Sequence, residues 1–136
     1  MPKVMVVDDD FDDRYSVKQG LEYLYPGYKV LCVDSGKQCV NLLKDETPDI
    51  ILLDVAMPEM SGWAVFDLLK TNESWKDIPM IFLTTQADNI AKGTCDSRGQ
   101  DYIEKPFGIK DMKRRIDKVL IDNKESYENK QEDKTR

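Results

Sequence analysis

The chain has 136 residues, of which 40% are hydrophobic and 34% charged, and its formal net charge is −6. That length fits one domain with one core, and no apolar run approaches the roughly 18 residues that span a membrane. The sequence contains no histidine, which excludes His-dependent catalytic triads, HExxH zinc sites and imidazole base catalysis. The three cysteines show no CxxC spacing, so we expect free thiols and a cytoplasmic location.

Five short apolar runs divide the chain. In chain order they are Val4–Val7, Val30–Val33, Ile50–Leu53, Met80–Leu83 and Tyr102–Ile103. Each run is nearly continuous instead of alternating, which is typical of strands buried on both faces of a parallel sheet. The runs therefore predict five parallel strands.

A segment with apolar residues at helical spacing follows each run. The positions expected to face the core are Val17, Leu21, Leu24, Val40, Leu43, Val65, Leu68, Leu69, Ile109, Met112, Ile116, Val119 and Leu120. Ser35 is the expected N-cap of the second helix. The fourth segment, near residues 88–97, contains Gly93 and Thr94, whose low helix propensity predicts a short or mobile helix.

Five strands that each precede a helix predict a single α/β domain of (βα)5 organisation. Right-handed crossovers place helices on both faces of the parallel sheet, which makes the fold doubly wound. We expect this domain to cover residues 1–123. Residues 124–136 carry four basic and four acidic side chains with almost no apolar ones, and we expect a frayed or disordered charged tail.

Polar residues stand at the ends of four predicted strands. They are Asp8, Asp9 and Asp10 after the first strand, Asp54 after the third, Thr84 and Thr85 after the fourth, and Lys105 after the fifth. The loops that leave the carboxyl ends of parallel strands line one crevice. With the first and third strands adjacent, their acids meet there.

This set of residues predicts a specific chemistry. Clustered carboxylates repel one another, and a hard divalent cation with oxygen ligands relieves that repulsion. We therefore expect Mg2+, with Mn2+ as an alternative, among Asp8, Asp9 and Asp54. Lys105 offers a positive charge and Thr84 a hydroxyl donor for phosphate oxygens. Together with a carboxylate nucleophile, these groups predict an aspartyl-phosphate site.

Each residue taken alone also has a purely structural interpretation. An aspartate after a strand is commonly a turn former or a helix cap, and an acidic run is commonly a solvated helix start. Thr84 alone is consistent with an ordinary strand residue, and Lys105 with an ordinary loop residue. The functional interpretation depends on their conjunction, because four strand ends carry the four required groups.

Four segments resemble the response regulator receiver family, and the match covers about residues 3–121. They are Val6–Asp10, an acidic pair after the first strand; Asp54–Gly62, a DxxMPxMxG phosphoacceptor segment; Leu83–Thr85, a hydroxyl position; and Asp101–Phe107, a switch aromatic with a Lys-Pro-Phe segment. The phosphoacceptor segment is the most specific of the four. The resemblance implies the flavodoxin-like strand order 2-1-3-4-5.

The resemblance implies a metal-binding or acceptor role for four matching residues. Asp54 is the expected phosphoacceptor. Asp9 and Asp54 are expected to bind Mg2+ through their carboxylates, Ala56 through its backbone carbonyl and Asp8 through water.

The resemblance also implies how phosphorylation is sensed. Thr84 and Lys105 are expected to hold the phosphoryl oxygens, and the Lys105–Pro106 peptide bond is expected to be cis. As Thr84 moves toward the phosphate, the ring of Tyr102 is expected to turn inward. This movement would change the surface formed by the fourth helix, the fifth strand and the fifth helix.

We expect a phosphorylation-dependent signalling switch, not an enzyme, with self-catalysed phosphotransfer and autodephosphorylation only. The donor is a phosphohistidine on a sensor histidine kinase or histidine phosphotransfer protein, because this chain has no histidine. The expected output is a partner protein, without direct binding to nucleic acid or membrane. A monomer is expected, with a phosphorylation-dependent dimer as an alternative. Whether an output domain has been truncated from the chain stays open.

Two other functions stay open at this point. An aspartyl-nucleophile phosphatase or phosphotransferase that resembles the haloacid dehalogenase family needs a second Asp two residues after the first, where this chain has Ala56. An unphosphorylated receiver-like scaffold is expected to have lost one of Asp9, Asp54 or Lys105. None of these three is lost here.

Overall fold

The computed structural model describes residues 2–85 and 99–135, with side chains over 2–85 and 99–125. The strands in these ranges are β1 Lys3–Val7, β2 Lys29–Val33, β3 Ile50–Asp54, β4 Met80–Thr84 and β5 Asp101–Glu104. The helices are α1 Phe11–Leu24, α2 Gly36–Leu43, α3 Gly62–Lys70 and the last helix, Ile109–Thr135. The helix predicted near residues 88–97 lies outside the described residues.

The strands form one parallel sheet in the order β2-β1-β3-β4-β5. This order confirms the predicted doubly wound α/β fold. It pairs β1 with β3 so that Val7 lies opposite Leu53, and the residues that follow these two strands emerge side by side. Since β4 lies between β3 and β5, the polar ends of four strands share one edge of the sheet.

Two hydrophobic clusters cover the two faces of the sheet, which explains why the strand runs are continuous. Leu53 and Phe82 belong to the cluster that packs against α2 and α3. Leu52 and Leu83 belong to the cluster that packs against α1 and the last helix. Neighbouring strand residues point to opposite faces, so both must be apolar when both faces are covered.

Side-chain caps begin three of the helices. The side chains of Asp10, Ser35 and Ser61 each accept a hydrogen bond from the backbone N–H three residues later, at 3.1, 3.1 and 3.2 Å. Such caps satisfy N–H groups that have no partner inside the helix. Ser35 is therefore confirmed as the N-cap of α2, and the Asp10 cap makes α1 start immediately after Asp8 and Asp9.

Two of the predicted core positions are wrong. Leu24 is 46% exposed and Leu68 is 43% exposed. Each lies near the edge of its apolar stripe, where helical spacing alone does not decide burial. Val17 and Val65, on the same helices, are fully buried as predicted.

The last helix continues beyond the predicted domain boundary. Met112, Ile116 and Val119 are buried as expected, but the helix then runs through Thr135. The backbone of the expected frayed or disordered tail is thus helical in the structure, and its Lys, Glu and Gln content favours a helix. The boundary at residue 123 stays a prediction. Among the described residues, no helix combines the length and hydropathy that crossing a membrane requires.

Candidate functional site

Three carboxylates meet at the carboxyl edge of the sheet. Asp8 and Asp9 follow β1, Asp54 ends β3, and one carboxylate oxygen from each lies within 4.8 Å of the other two. Asp8 is fully buried, Asp54 is 3% exposed and Asp9 is exposed. The pairing of β1 with β3 is what brings these distant stretches of chain together.

Burial and neighbouring negative charge make the carboxyl groups of Asp8 and Asp54 hard to ionise. Burial raises the pKa of Asp54 to about 7, and the neighbouring charge of Asp8 adds to the shift, while Lys105 opposes it. Burial also raises the pKa of Asp8, although its carboxylate accepts a hydrogen bond from the backbone N–H of Asp10 at 2.9 Å. A positive charge placed here therefore stabilises the ionised carboxylates.

Lys105 supplies one such charge from the end of β5. Its Nζ lies 2.9 Å from a carboxylate oxygen of Asp8 and 3.2 Å from one of Asp54. Burial lowers the pKa of Lys105, but its hydrogen bonds to Asp8 and Asp13 and the charge of Asp54 outweigh burial, so the net shift is upward. Lys105 is therefore a permanent cation here. The Lys105–Pro106 peptide bond is cis.

Thr84 ends β4 at the same edge. The residue before it, Leu83, pairs with Asp54 across the sheet, and its carbonyl accepts a hydrogen bond from Val55 N–H at 3.1 Å. Thr84 is 2% exposed, and its Oγ1 has no hydrogen-bond partner among the described residues. A buried hydroxyl without a partner is costly in a folded protein.

The loop after Asp54 folds back closely onto the strand it leaves. Gly62 N–H donates to the carbonyl of Val55 at 2.9 Å. A Cβ on Gly62 would lie 2.3 Å from the carbonyl oxygen of Asp54, so only glycine fits. Glu59, in the same loop, has a positive φ of 66°. Ala56 lies exposed in this loop, two residues after Asp54.

Tyr102 does not join the carboxylate cluster. Its half-buried ring stacks on Phe82 with centroids 5.6 Å apart, and the Trp63 ring lies 6.2 Å from it. Trp63 is the second residue of α3, just after the loop that follows Asp54, and its ring centroid lies 4.4 Å from that of Phe82. The aromatic rings thus form a packed path from that loop to β5.

Sequence reasoning missed two residues of this site. Asp13 lies 2.9 Å from Lys105 Nζ, and Arg14 donates to the backbone carbonyl of Asp8 at 2.8 Å. Asp13 stands three residues after the Asp10 cap, on the first turn of α1. That spacing is the sequence signal that could have identified it.

The donor set fits a hard divalent cation. It offers carboxylate oxygens from three residues, two of them buried and with raised pKa. Mg2+ takes oxygen ligands and retains waters, so it needs only one or two carboxylates together with further oxygen atoms. An exposed member, Asp9, leaves such a site open toward solvent.

Comparisons with known proteins agree with this geometry. A family model described as the response regulator receiver domain matches residues 4–117. The transcriptional regulatory protein CrdR of Helicobacter pylori is 34% identical over 122 residues, which are 89% of this chain and 56% of that protein. A probable cyclic di-GMP phosphodiesterase of Vibrio cholerae is 35% identical over 114 residues, which are 83% of this chain and 25% of that protein.

One similar solved structure contains a metal ion at its own active site. It is the receiver domain of a sensor histidine kinase from Pseudomonas aeruginosa, with a magnesium ion coordinated in the active site cleft. The TM-score is 0.76 and the identity 26%, over 88% of this chain and 97% of that one. By contrast, the chain spans about half the length of the first regulators it matches.

Proposed function

Because the chain belongs to the response regulator receiver family, we propose that Asp54 accepts a phosphoryl group in a Mg2+-dependent reaction. It is a receiver domain of the two-component signalling type. The single observation that carries the proposal is the convergence of Lys105 Nζ with the carboxylates of Asp8 and Asp54, at 2.9 and 3.2 Å.

The proposed reaction transfers the phosphoryl group from a phosphohistidine. A carboxylate oxygen of Asp54 forms the new O–P bond while the P–N bond breaks, and the imidazole nitrogen keeps its electron pair. Lys105 holds a phosphoryl oxygen by charge, and the buried hydroxyl of Thr84 donates to another. Its missing partner among the described residues supports this role for Thr84.

We propose Mg2+ as the cofactor, with Mn2+ as an alternative. Asp9 and Asp54 would hold it by carboxylate, Ala56 by its backbone carbonyl and Asp8 through water. The bound cation would withdraw charge from the transferring phosphoryl group. It would also favour the ionised form of Asp54, whose pKa is raised to about 7 in its absence.

We propose that the phosphoryl donor is a sensor histidine kinase or a histidine phosphotransfer protein, because the chain itself contains no histidine. The response passes to an output protein without direct contact with nucleic acid or membrane. We place the protein in the cytoplasm as a monomer, with a dimer after phosphorylation as the alternative. Size-exclusion chromatography with and without beryllofluoride separates these two states.

Thr84 and Tyr102 form the proposed switch. When Thr84 turns toward the phosphoryl group, it vacates space, and Tyr102 settles further inward. The surface that changes comprises the predicted fourth helix together with β5 and the last helix; only β5 and the last helix lie within the described residues. The contact of Tyr102 with Phe82 at 5.6 Å supports coupling of its ring to the core.

We propose no turnover on a separate small-molecule substrate. A phosphatase with an aspartyl nucleophile needs a general acid two residues after it, and that position is Ala56. The retention of Asp9, Asp54 and Lys105 in one cluster also disfavours an unphosphorylated scaffold.

The test is phosphorylation by acetyl phosphate with Mg2+. Intact mass spectrometry should detect one added phosphoryl group, and tryptophan emission should change because Trp63 follows the acceptor loop. Asp54→Asn should show neither change. Asp45→Asn, which removes an exposed carboxylate outside the cluster, should behave as wild type. If the mass and the tryptophan emission of the wild type stay unchanged at millimolar acetyl phosphate, the result would favour the unphosphorylated receiver-like scaffold.

A further inference from the structure

Lys105 contacts a third carboxylate that the proposed reaction does not use. Its Nζ lies 2.9 Å from Asp8, 2.9 Å from Asp13 and 3.2 Å from Asp54. An ammonium group has three N–H donors, so the three carboxylates match its full donor capacity. Asp8 and Asp54 belong to the site described above, whereas Asp13 reaches Lys105 from α1.

The first turn of α1 is held against the site, which fixes Asp13 near Lys105. Asp13 N–H donates to the side chain of the cap residue Asp10 at 3.1 Å. The next residue, Arg14, donates to the backbone carbonyl of Asp8 at 2.8 Å. The side chain of Lys105 is 17% exposed and that of Asp13 33% exposed, so water screens the pair only in part.

Phosphorylation requires Lys105 to change partners. In the proposed function a phosphoryl oxygen on Asp54 accepts a hydrogen bond from Lys105 Nζ. Nζ has three N–H donors, and carboxylate oxygens of Asp8, Asp13 and Asp54 lie 2.9, 2.9 and 3.2 Å from it. A phosphoryl oxygen must therefore displace one of these carboxylates from its N–H group.

Building on the function proposed above, we propose that Asp13 is a positioning residue that competes with the phosphoryl group for Lys105. The ion pair holds Lys105 in its resting place. The carboxylate of Asp13 also adds negative charge beside an anionic ligand. Both effects oppose occupation of Asp54, so Asp13 biases the switch toward its unphosphorylated state.

The chain offers a matched control for this proposal. Asp12 and Asp13 both lie in the first turn of α1, and replacing either with asparagine removes the same charge from the same helix end. Asp12 is exposed, and none of the described ion pairs joins it to Lys105. Comparing the two variants therefore separates the Lys105 contact from general charge and helix-dipole effects.

The experiment titrates beryllofluoride into the protein at saturating Mg2+ and follows tryptophan emission. Asp13→Asn should bind the mimic about threefold to fivefold more tightly than wild type, the scale expected when one partly exposed ion pair is lost. Asp12→Asn should stay within about twofold of wild type. A gain of affinity distinguishes competition from structural damage, which weakens binding.

Equal or weaker binding by Asp13→Asn would overturn the proposal, and so would an equal gain in Asp12→Asn. In both cases the proposed function would stand, because the wild-type protein would still bind beryllofluoride. Wild type that fails to bind beryllofluoride at all would overturn the function and this inference together. Circular dichroism checks that the variants fold. If Asp13→Asn does not fold, Asp13→Ser, which also removes the carboxylate, takes its place in the titration.

Discussion

Replacing Gly62 with alanine should damage both the stability of the fold and the proposed phosphorylation. A Cβ at this position lies 2.3 Å from the carbonyl oxygen of Asp54, 2.9 Å from its carbonyl carbon and 3.0 Å from the Cα of Val55. These are all backbone atoms. No side chain can turn aside, so the loop or the end of β3 must move.

The expected loss follows from two contributions. Forcing an extra methyl group into a packed site costs about 1–3 kcal/mol. The movement also weakens the 2.9 Å hydrogen bond from Gly62 N–H to the Val55 carbonyl, which is worth about 1 kcal/mol. We therefore expect the free energy of unfolding to fall by about 2–4 kcal/mol. Because a shift of about 1 Å at a reacting group can cost about 100-fold, phosphorylation of Asp54 should slow by at least about tenfold.

Urea denaturation followed by circular dichroism measures the first effect, and intact mass after timed incubation with acetyl phosphate and Mg2+ measures the second. Gly27→Ala is the control, because a Cβ at Gly27 meets no atom within 4 Å. If Gly62→Ala matched Gly27→Ala in both unfolding midpoint and phosphorylation rate, the close approach of this loop to Asp54 would be refuted.

Three further predictions follow from the site and the core. The pKa of Asp54 is about 7 in the fold against an ordinary 3.8, so the folded protein binds more protons between these values. In EDTA its stability should therefore fall as the pH rises from about 4 to about 7, and Asp54→Asn should flatten that dependence in a pH series of urea midpoints. Asp9→Ala should abolish the Mg2+-dependent change in tryptophan emission without lowering the urea midpoint, because Asp9 is exposed; a response that survives would place the metal elsewhere. Tyr28→Phe removes a buried hydroxyl that donates to Asp117 and should cost about 1–2 kcal/mol, whereas Tyr23→Phe, at an 84% exposed position, should leave the unfolding free energy unchanged.

The architecture was predictable because its signals are local. A strand covered on both faces needs apolar residues at every position, and this requirement is visible in runs such as Ile50–Leu53. The Ser35 cap was also predictable, because a cap acts on the backbone of the residues that immediately follow it. Burial at the margins of a helix was not, as the exposed Leu24 and Leu68 demonstrate.

The site was predictable in part for a related reason. Parallel strands end at one edge, so residues after different strands meet there once the strand order is known. Asp8, Asp54 and Lys105 meet as expected. The roles of these residues in phosphorylation stay predictions that the experiments above address. The contact between Asp13 and Lys105 was not foreseen, because it depends on how α1 is seated against the sheet.

The sequence by itself determined the parallel doubly wound sheet and the set of polar groups at its edge. The sheet follows from repeating apolar patterns, since hydrophobic burial acts on every residue of a strand or helix face. The polar groups follow from their positions directly after the predicted strands. Only the tertiary structure decided which carboxylates share Lys105, that Gly62 touches Asp54, and that Tyr102 packs on Phe82. Those contacts depend on separations of a few ångströms between distant parts of the chain, and such separations are set by the packing of the whole core.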